Sequence, residues 1–348
     1  MPFIERFANS MDKIIINLAA PRAHLSQMIV GYIELFGLNR IVFNEHYEST
    51  MGMHNLGATA LVEIDGKRLV YDMNDGYNNI DIMHWYLDRC DLYFKRSFSA
   101  EKNERFFKEK LQKIKPLGLF YKLSCPGNPL DKYLTTREKL LDWFGIKSSA
   151  YFTKEKFEGE KPEFKESGLK ILFYTKLWEP NLGDEALNEE RRYINRMRTD
   201  IIRTLSKKYG HLFYGGLHDS SYAQKYAPNL ILSKYSSEKS RYLRLMHSCD
   251  ICIGSMGLHE SIGGKTAEYV AAAKAIVNEK LHYYVGDDFK EGVNYIDYTD
   301  AEGCLEAVDS LVSSPEKVFA MKMANYDYYK VFLEPSSLIK NSLRYLYE

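Results

Sequence analysis

Glu260 and Glu268 bracket a glycine pair, Gly263-Gly264, inside the run GLHESIGGKTAEYVAAAKAIV that spans 257–277. Ahead of it lies the apolar stretch Asp250-Ile-Cys-Ile-Gly254, and Ala275-Ile276-Val277 closes it. This order predicts a buried strand, a loop, a helix opening at the glycines and a second buried strand. The first turn of such a helix has unbonded N–H groups and the positive end of the helix dipole, which suit a phosphate or diphosphate. Carboxylates on either side of that anion site are placed to hold hydroxyl groups. A nucleotide-sugar has the matching order of parts: hydroxylated sugar, diphosphate, hydroxylated ribose.

Gly264-Lys265-Thr266 also reads as the end of a P-loop. That motif, Gly-x4-Gly-Lys-Ser/Thr, requires its first glycine at position 259. His259 stands there, and Gly257 comes two residues too early. The nest of amides that wraps a triphosphate depends on this spacing, so the P-loop reading is the weaker of the two.

The Glu260-x7-Glu268 spacing, with Gly263 between and Ala271 after, resembles the donor-site motif of GT-B glycosyltransferases. It is most similar to the large retaining family that uses nucleotide-sugars. The resemblance implies that Glu260 meets the donor sugar, that Gly263 and Gly264 hold the diphosphate, and that Glu268 binds the ribose. His259, Ser261 and Lys265 lie in the same stretch and join the expected donor contacts. Ala273 and Ala275 stand where the family commonly has Gly and Pro, at positions that shape the turn into the next strand. The family also carries a basic pair after the first donor-domain strand. Lys176 stands for its Arg and Asn181 for its Lys, so the missing charge falls to Arg191, Arg192, Arg196 or Arg198, with Arg191, nearest the strand end, the expected substitute. Tyr235, beside Lys234, offers a ring on which a base can stack. The chain has no Asp-x-Asp pair, the metal signature of the other main glycosyltransferase fold, so no metal and no cofactor are expected.

These residues need a frame, and the C-terminal half reads as alternating strands and helices. Strands are expected at Leu169–Tyr174, His211–Tyr214, Asn229–Leu232, Asp250–Gly254 and Ala275–Asn278, with a long helix over Asn188–Tyr209. Such alternation predicts a doubly wound parallel sheet with ligands at the carboxyl ends of its strands. The N-terminal half gives a similar pattern, with strands at Ile14–Asn17, Arg40–Phe43 and Asp91–Phe94 and a hairpin over Ala60–Tyr71 turning at Asp65-Gly66. The fold class expected is α/β, the GT-B arrangement of two Rossmann-like domains facing a cleft. Residues 1–160 form the acceptor-binding domain and 168–335 the nucleotide-sugar domain, joined by the charged linker Thr153–Ser167. The helix at 336–348 is expected to pack back on the first domain.

Asp72, Asp75 and His24 fall at strand ends or loops expected to face the acceptor. An inverting reaction needs one of them as general base, whereas a retaining one can use the donor phosphate itself.

Composition narrows the class further. At 348 residues with 45% apolar content, two cores can be filled. Lys+Arg and Asp+Glu balance at 47 each, so no global field draws nucleic acid. No apolar run is long enough to span a bilayer, and charge in the first ten residues argues against a signal peptide. Five cysteines suggest reduced thiols and a cytoplasmic location, with Cys249-x2-Cys252 read as packing rather than redox or metal chemistry. Between Lys95 and Lys122 there are nine Lys+Arg against three Asp+Glu, a basic stretch suited to the anionic inner face of a membrane. The resulting expectation is a glycosyltransferase moving a sugar to a glycan or lipid-linked acceptor, in surface polysaccharide or glycoconjugate synthesis. The alternatives are a nucleotide-sugar 2-epimerase of the same fold, a P-loop-like nucleotide-binding protein and a non-catalytic nucleotide-sugar binder.

Overall fold

A computed structural model describes residues 13–19, 22–45, 47, 56–129, 152–233 and 238–347. The chain divides into two compact units. One is Met1–Lys154 with Tyr283–Gly286 and Lys330–Glu348; the other is Glu155–His282 with Asp287–Tyr329.

The first unit is a six-stranded sheet of β1 (Ile14–Leu18), β2 (Ile41–Asn44), β3 (Thr59–Ile64), β4 (Lys67–Asp72), β5 (Leu92–Lys95) and β6 (Ile114–Pro116). Their order is β2-β1-β3-β4-β5-β6, with β3 antiparallel to both neighbours and the other pairs parallel. The β3–β4 hairpin turns at Asp65-Gly66, where φ of 49° and 69° matches the Asp-Gly turn expected from the sequence. Helices α1 (Ser26–Phe36), α2 (Ile80–Leu87) and α3 (Ala100–Phe107) complete the unit. Ile14, Ile16 and Leu18 of β1 pack with Met28, Ile29 and Tyr32 of α1 and with Leu338, Ile339 and Leu343 of the chain's last helix, Pro335–Arg344. Gly31 makes this approach possible, because a Cβ there would lie 2.2 Å from the Pro335 carbonyl oxygen. Lys154 ties the same region together, reaching Glu34 at 3.0 Å and Glu334 at 2.8 Å.

The second unit is a fully parallel five-stranded sheet of β7 (Ile171–Thr175), β8 (Phe213–Leu217), β9 (Ile251–Gly254), β10 (Ala275–Glu279) and β11 (Ile296–Tyr298). The strands lie in the order β8-β7-β9-β10-β11. Helices α4 (Glu185–Tyr209), α5 (Lys239–Ser248), α6 (Gly264–Ala271), α7 (Ala301–Val312) and α8 (Pro315–Tyr328) accompany it. β9 and β10 are buried along their whole length, which is why they read as unbroken apolar runs rather than alternating ones. α4 starts where Asp184 accepts from the Ala186 and Leu187 amides, and it ends at Gly210. The strand order reverses between β7 and β9. In open α/β sheets that reversal leaves a crevice at the carboxyl ends, where ligands bind.

Three details differ from the sequence reading. β8 runs through Gly215-Gly216 instead of stopping there, since Phe213 and Leu232 fill the space their side chains would need. Asn229–Leu232 is not a strand: Pro228 opens a short 3-10 turn, and only Ile231 bridges to Leu217. The charged segment 153–167 is not a loose linker either. Phe157 is fully buried, Gly159 N–H donates to the Ala271 carbonyl at 2.8 Å, and Lys165 pairs with Asp250 at 2.8 Å.

Candidate functional site

The loop Ser255–Gly263 leaves the carboxyl end of β9, beside the β7–β9 reversal. Gly257 N–H donates to the Ser261 carbonyl at 2.7 Å, closing a turn in which His259 and Glu260 both have φ of 57°. For residues with a side chain this left-handed backbone costs about 1–2 kcal/mol each. Surrounding contacts hold it in place: Glu260 N–H donates to Glu190 Oε1 at 3.3 Å, and Ser261 N–H to the Leu258 carbonyl at 3.1 Å. Ser261 itself is buried. The Glu260 carboxylate is half-exposed, with His282 Nδ1 at 3.8 Å.

α6 follows with Gly263 as its cap residue, and no side chain among the described residues closes the helix end. A Cβ on Gly263 would come within 2.9 Å of the Ser255 carbonyl oxygen, so glycine lets loop and helix start lie this close. Gly264 opens the helix and is exposed. Thr266 Oγ1 donates to Asn278 Oδ1 at 2.7 Å, fastening the first turn to the end of β10. Glu268 is 8% exposed, and its two oxygens differ. Oε1 accepts from Lys239 Nζ at 2.5 Å, whereas Oε2 is buried with no hydrogen-bond partner among the described residues. A buried oxygen left in that state costs roughly 1–3 kcal/mol, which a ligand hydroxyl would recover.

Two lysines near Glu268 lie against one aromatic ring. Lys265 Nζ lies 4.0 Å and Lys239 Nζ 4.8 Å from the centre of the Tyr242 ring. Burial brings the Lys265 ammonium down to about 7, with Lys239 and Arg198 pushing the same way and Glu268 opposing them.

The expected basic pair is arranged differently. Lys176 Nζ sits 3.7 Å from the centre of the Trp178 ring. Arg191 does not fill the missing place, because it turns to the Glu179 carbonyl at 2.5 Å and to Asn181 Oδ1 at 3.3 Å. Arg198 spans the crevice instead. It donates to the Lys176 carbonyl after β7 at 2.5 Å, and to Ser255 Oγ at 3.0 Å and the Met256 carbonyl at 2.7 Å after β9. The guanidinium is buried, which brings it down to about 10, with Glu279 opposing. Glu279 ends β10, also buried; its Oε2 accepts from Met256 N–H at 2.8 Å, and its Oε1 has no hydrogen-bond partner among the described residues. Burial raises the Glu279 carboxyl above the usual range, opposed by the Met256 amide and Arg198.

Sequence reasoning preferred Arg191 to Arg198 and passed over Glu279, although each left a signal. Arg198 falls on the buried stripe of α4 with Ile194, Ile201, Ile202 and Leu205, an unusual place for a charge. Glu279 closes an otherwise apolar run. Tyr235 and Lys234 lie outside the described residues. Among the described residues, no group of three or more His, Cys, Asp or Glu side chains is gathered as a metal ion requires, and no helix is long and apolar enough to cross a membrane.

In the first unit the loops after β1, β4, β5 and β6 bring His24, Asp75, Arg96 and Phe120 together. Arg96 pairs with Asp75 at 3.0 Å and lies 5.7 Å over Phe120, on which the His24 ring stacks at 6.0 Å. Burial brings His24 down to about 4, with Lys122 and Arg96 adding to the effect and Asp75 opposing, so the ring is neutral at pH 7.

Asp72 is not available as the general base that the sequence suggested. Oδ1 accepts from the Asn74 amide and side chain, both at 2.8 Å, and Oδ2 accepts from Tyr93 at 2.6 Å and Lys95 at 2.9 Å. All four lone-pair positions are taken in a site 1% exposed. Asp72→Asn therefore leaves Lys95 buried without its counter-charge. We expect it to lower the opening free energy of the β4 and β5 amides by about 3–5 kcal/mol in native-state hydrogen exchange; unchanged protection would refute this role.

The basic stretch is likewise not one open patch. Lys95 and Arg96 pair with Asp72 and Asp75, Lys110 pairs with Asp88, and Lys113 donates to the Leu87 and Cys90 carbonyls. Lys102 lies over Tyr77 and Tyr283, and Lys115 over Tyr345.

No family model matches the chain, and no curated protein matches it. Among solved structures, it is similar to a glycosyltransferase from Rickettsia africae at 14% identity and a TM-score of 0.40, covering 95% of this chain and 96% of that one. It is also similar to the Anabaena protein HepE in complex with UDP and glucose, at 12% identity and a TM-score of 0.42, covering 77% of this chain and 67% of that one. A third likeness is to the C-terminal domain of a glycosyl transferase group 1 family protein from Francisella tularensis. There the identity is 10% and the TM-score 0.37, with 52% of this chain and 97% of that one covered.

Proposed function

We propose that this chain is a retaining, metal-independent glycosyltransferase that takes a sugar from a nucleoside-diphosphate donor. The observation that carries the reading is Glu268. Among the described residues, a buried carboxylate with one oxygen lacking a donor stands one turn inside a helix whose start has no side-chain cap, next to the sheet's reversal point. A ribose hydroxyl satisfies that oxygen, and the diphosphate takes the amides of Gly264 and Lys265. Glu260, half-exposed at the other end of the loop, meets the sugar.

Charge on the departing diphosphate would be stabilised by the start of α6, by Lys265 and by the field of Arg198. In a retaining reaction the donor phosphate serves as base. The first unit contributes acceptor recognition through His24 and Asp75, the acceptor being a glycan or lipid-linked sugar of surface polysaccharide or glycoconjugate synthesis. Attachment to an anionic membrane and a cytoplasmic location belong to the same reading.

Thermal-shift screening against a panel of nucleotide-sugars tests it. At one hundred times its Kd, the true donor stabilises the fold by about 2.7 kcal/mol, while the free sugar does nothing. Glu268→Ala should remove the shift. Failure of every nucleotide-sugar to stabilise the wild-type chain would sink the proposal.

A further inference from the structure

The loop that presents Glu260 is held by side chains that the donor motif does not include. Met256 is held through both of its backbone polar groups: its N–H donates to Glu279 Oε2 at 2.8 Å, and its carbonyl accepts from Arg198 Nη2 at 2.7 Å. Arg198 also takes Ser255 Oγ, so two successive loop residues are fixed from α4. Glu190, earlier on the same helix, accepts the Glu260 amide. These contacts converge on a segment whose next residues, His259 and Glu260, sit in left-handed backbone that relaxes unless it is held. The diphosphate end is anchored separately, by Thr266 on Asn278 and by Glu268 on Lys239. The segment therefore has two supports, one under the sugar end and one under the nucleotide end.

We propose that Glu279 is a positioning residue: with Arg198 it clamps the Met256 backbone and so sets where Glu260 meets the donor sugar. This rests on the glycosyltransferase reading above. Glu279 touches no part of the donor in this account. Its effect passes through the Met256 backbone to the turn closed by Gly257 and Ser261. Arg198 and His282 oppose the burial that raises the Glu279 carboxyl, and His282 Nδ1 also lies 3.8 Å from Glu260.

A consequence follows that a merely structural residue would not show. Loss of the clamp should weaken the part of donor affinity that comes from the sugar, and spare the part that comes from the nucleoside diphosphate. The probes are UDP-glucose, UDP-N-acetylglucosamine, GDP-mannose and ADP-glucose, each measured by calorimetry beside its own free diphosphate. The pair that binds wild-type protein most tightly is carried forward.

Glu279→Ala should leave the diphosphate Kd within about twofold, which also shows that the variant is folded. The nucleotide-sugar Kd should rise about tenfold or more. Glu279→Gln keeps an oxygen for the Met256 amide and should restore most of the loss. Equal loss for both ligands, no loss for either, or a Gln variant as weak as the Ala variant would overturn the assignment. If no pair binds the wild-type chain, the functional reading itself has failed, and that outcome is distinct from the other three.

Discussion

Glu260→Ala is expected to abolish glycosyl transfer while the chain stays folded and keeps its affinity for the nucleoside diphosphate. The side chain is half-exposed and its ionic contact, His282 at 3.8 Å, is equally open to solvent. Exposed pairs of this kind contribute about 0–1 kcal/mol, so the melting temperature should move by only a few degrees. The backbone argues the same way, since a φ of 57° is no better for glutamate than for alanine. A large residue in costly backbone, with little to gain for the fold, makes sense where its carboxylate is needed outside the protein. Removing a group that acts on the developing transition state typically costs about 10²–10³ in rate or more. The decisive comparison is kcat for transfer beside the diphosphate Kd. Glu260→Gly adds a control: it relieves the left-handed backbone and should be at least as stable, yet equally inactive. A fully active Glu260→Ala enzyme would exclude the mechanism.

The strands and helices around this site were legible because each carries a local signal. The β9 and β10 runs are apolar throughout and bounded by polar residues or glycine, and Asp65-Gly66 is a turn that few other dipeptides make so readily. Gly263-Gly264 marked the start of α6 because a backbone approach of 2.9 Å tolerates no Cβ. Side-chain partnerships were not legible in the same way. Asp72 looked like a cleft carboxylate, but Lys95 and Tyr93, two strand-end neighbours far away in sequence, consume it. Arg191 looked closest to the end of β7 along the chain, yet the loop after β7 folds so that Arg198 arrives there instead. The charged segment 153–167 looked like a linker because its apolar anchor is a single buried residue, Phe157, which composition averages away.

Nucleoside-diphosphate binding is expected to take up a proton, and Lys265 is the group that takes it. In the free protein, burial and the neighbouring Lys239 and Arg198 bring its ammonium down to about 7. At pH 8 about nine-tenths of the molecules then carry a neutral amine there. A diphosphate at the start of α6 brings at least two negative charges next to Lys265, which favours the charged form and raises its pKa in the complex. The sign follows from linkage: the bound state holds more protons than the free state between those two values. Affinity should therefore weaken as pH rises above about 7, by up to tenfold per unit. The terminal phosphate itself titrates near 6, so it contributes little above pH 7. Calorimetry at pH 8 in two buffers of different ionisation enthalpy measures the uptake directly, and Kd from pH 7 to 8.5 measures the slope. Lys265→Met should lose both the uptake and most of the affinity. Lys265→Arg, whose charge does not titrate in this range, should bind with a flat pH profile. A wild-type Kd that is constant from pH 7 to 8.5 would remove Lys265 from the diphosphate site and leave the helix start and Arg198 to stabilise the leaving group.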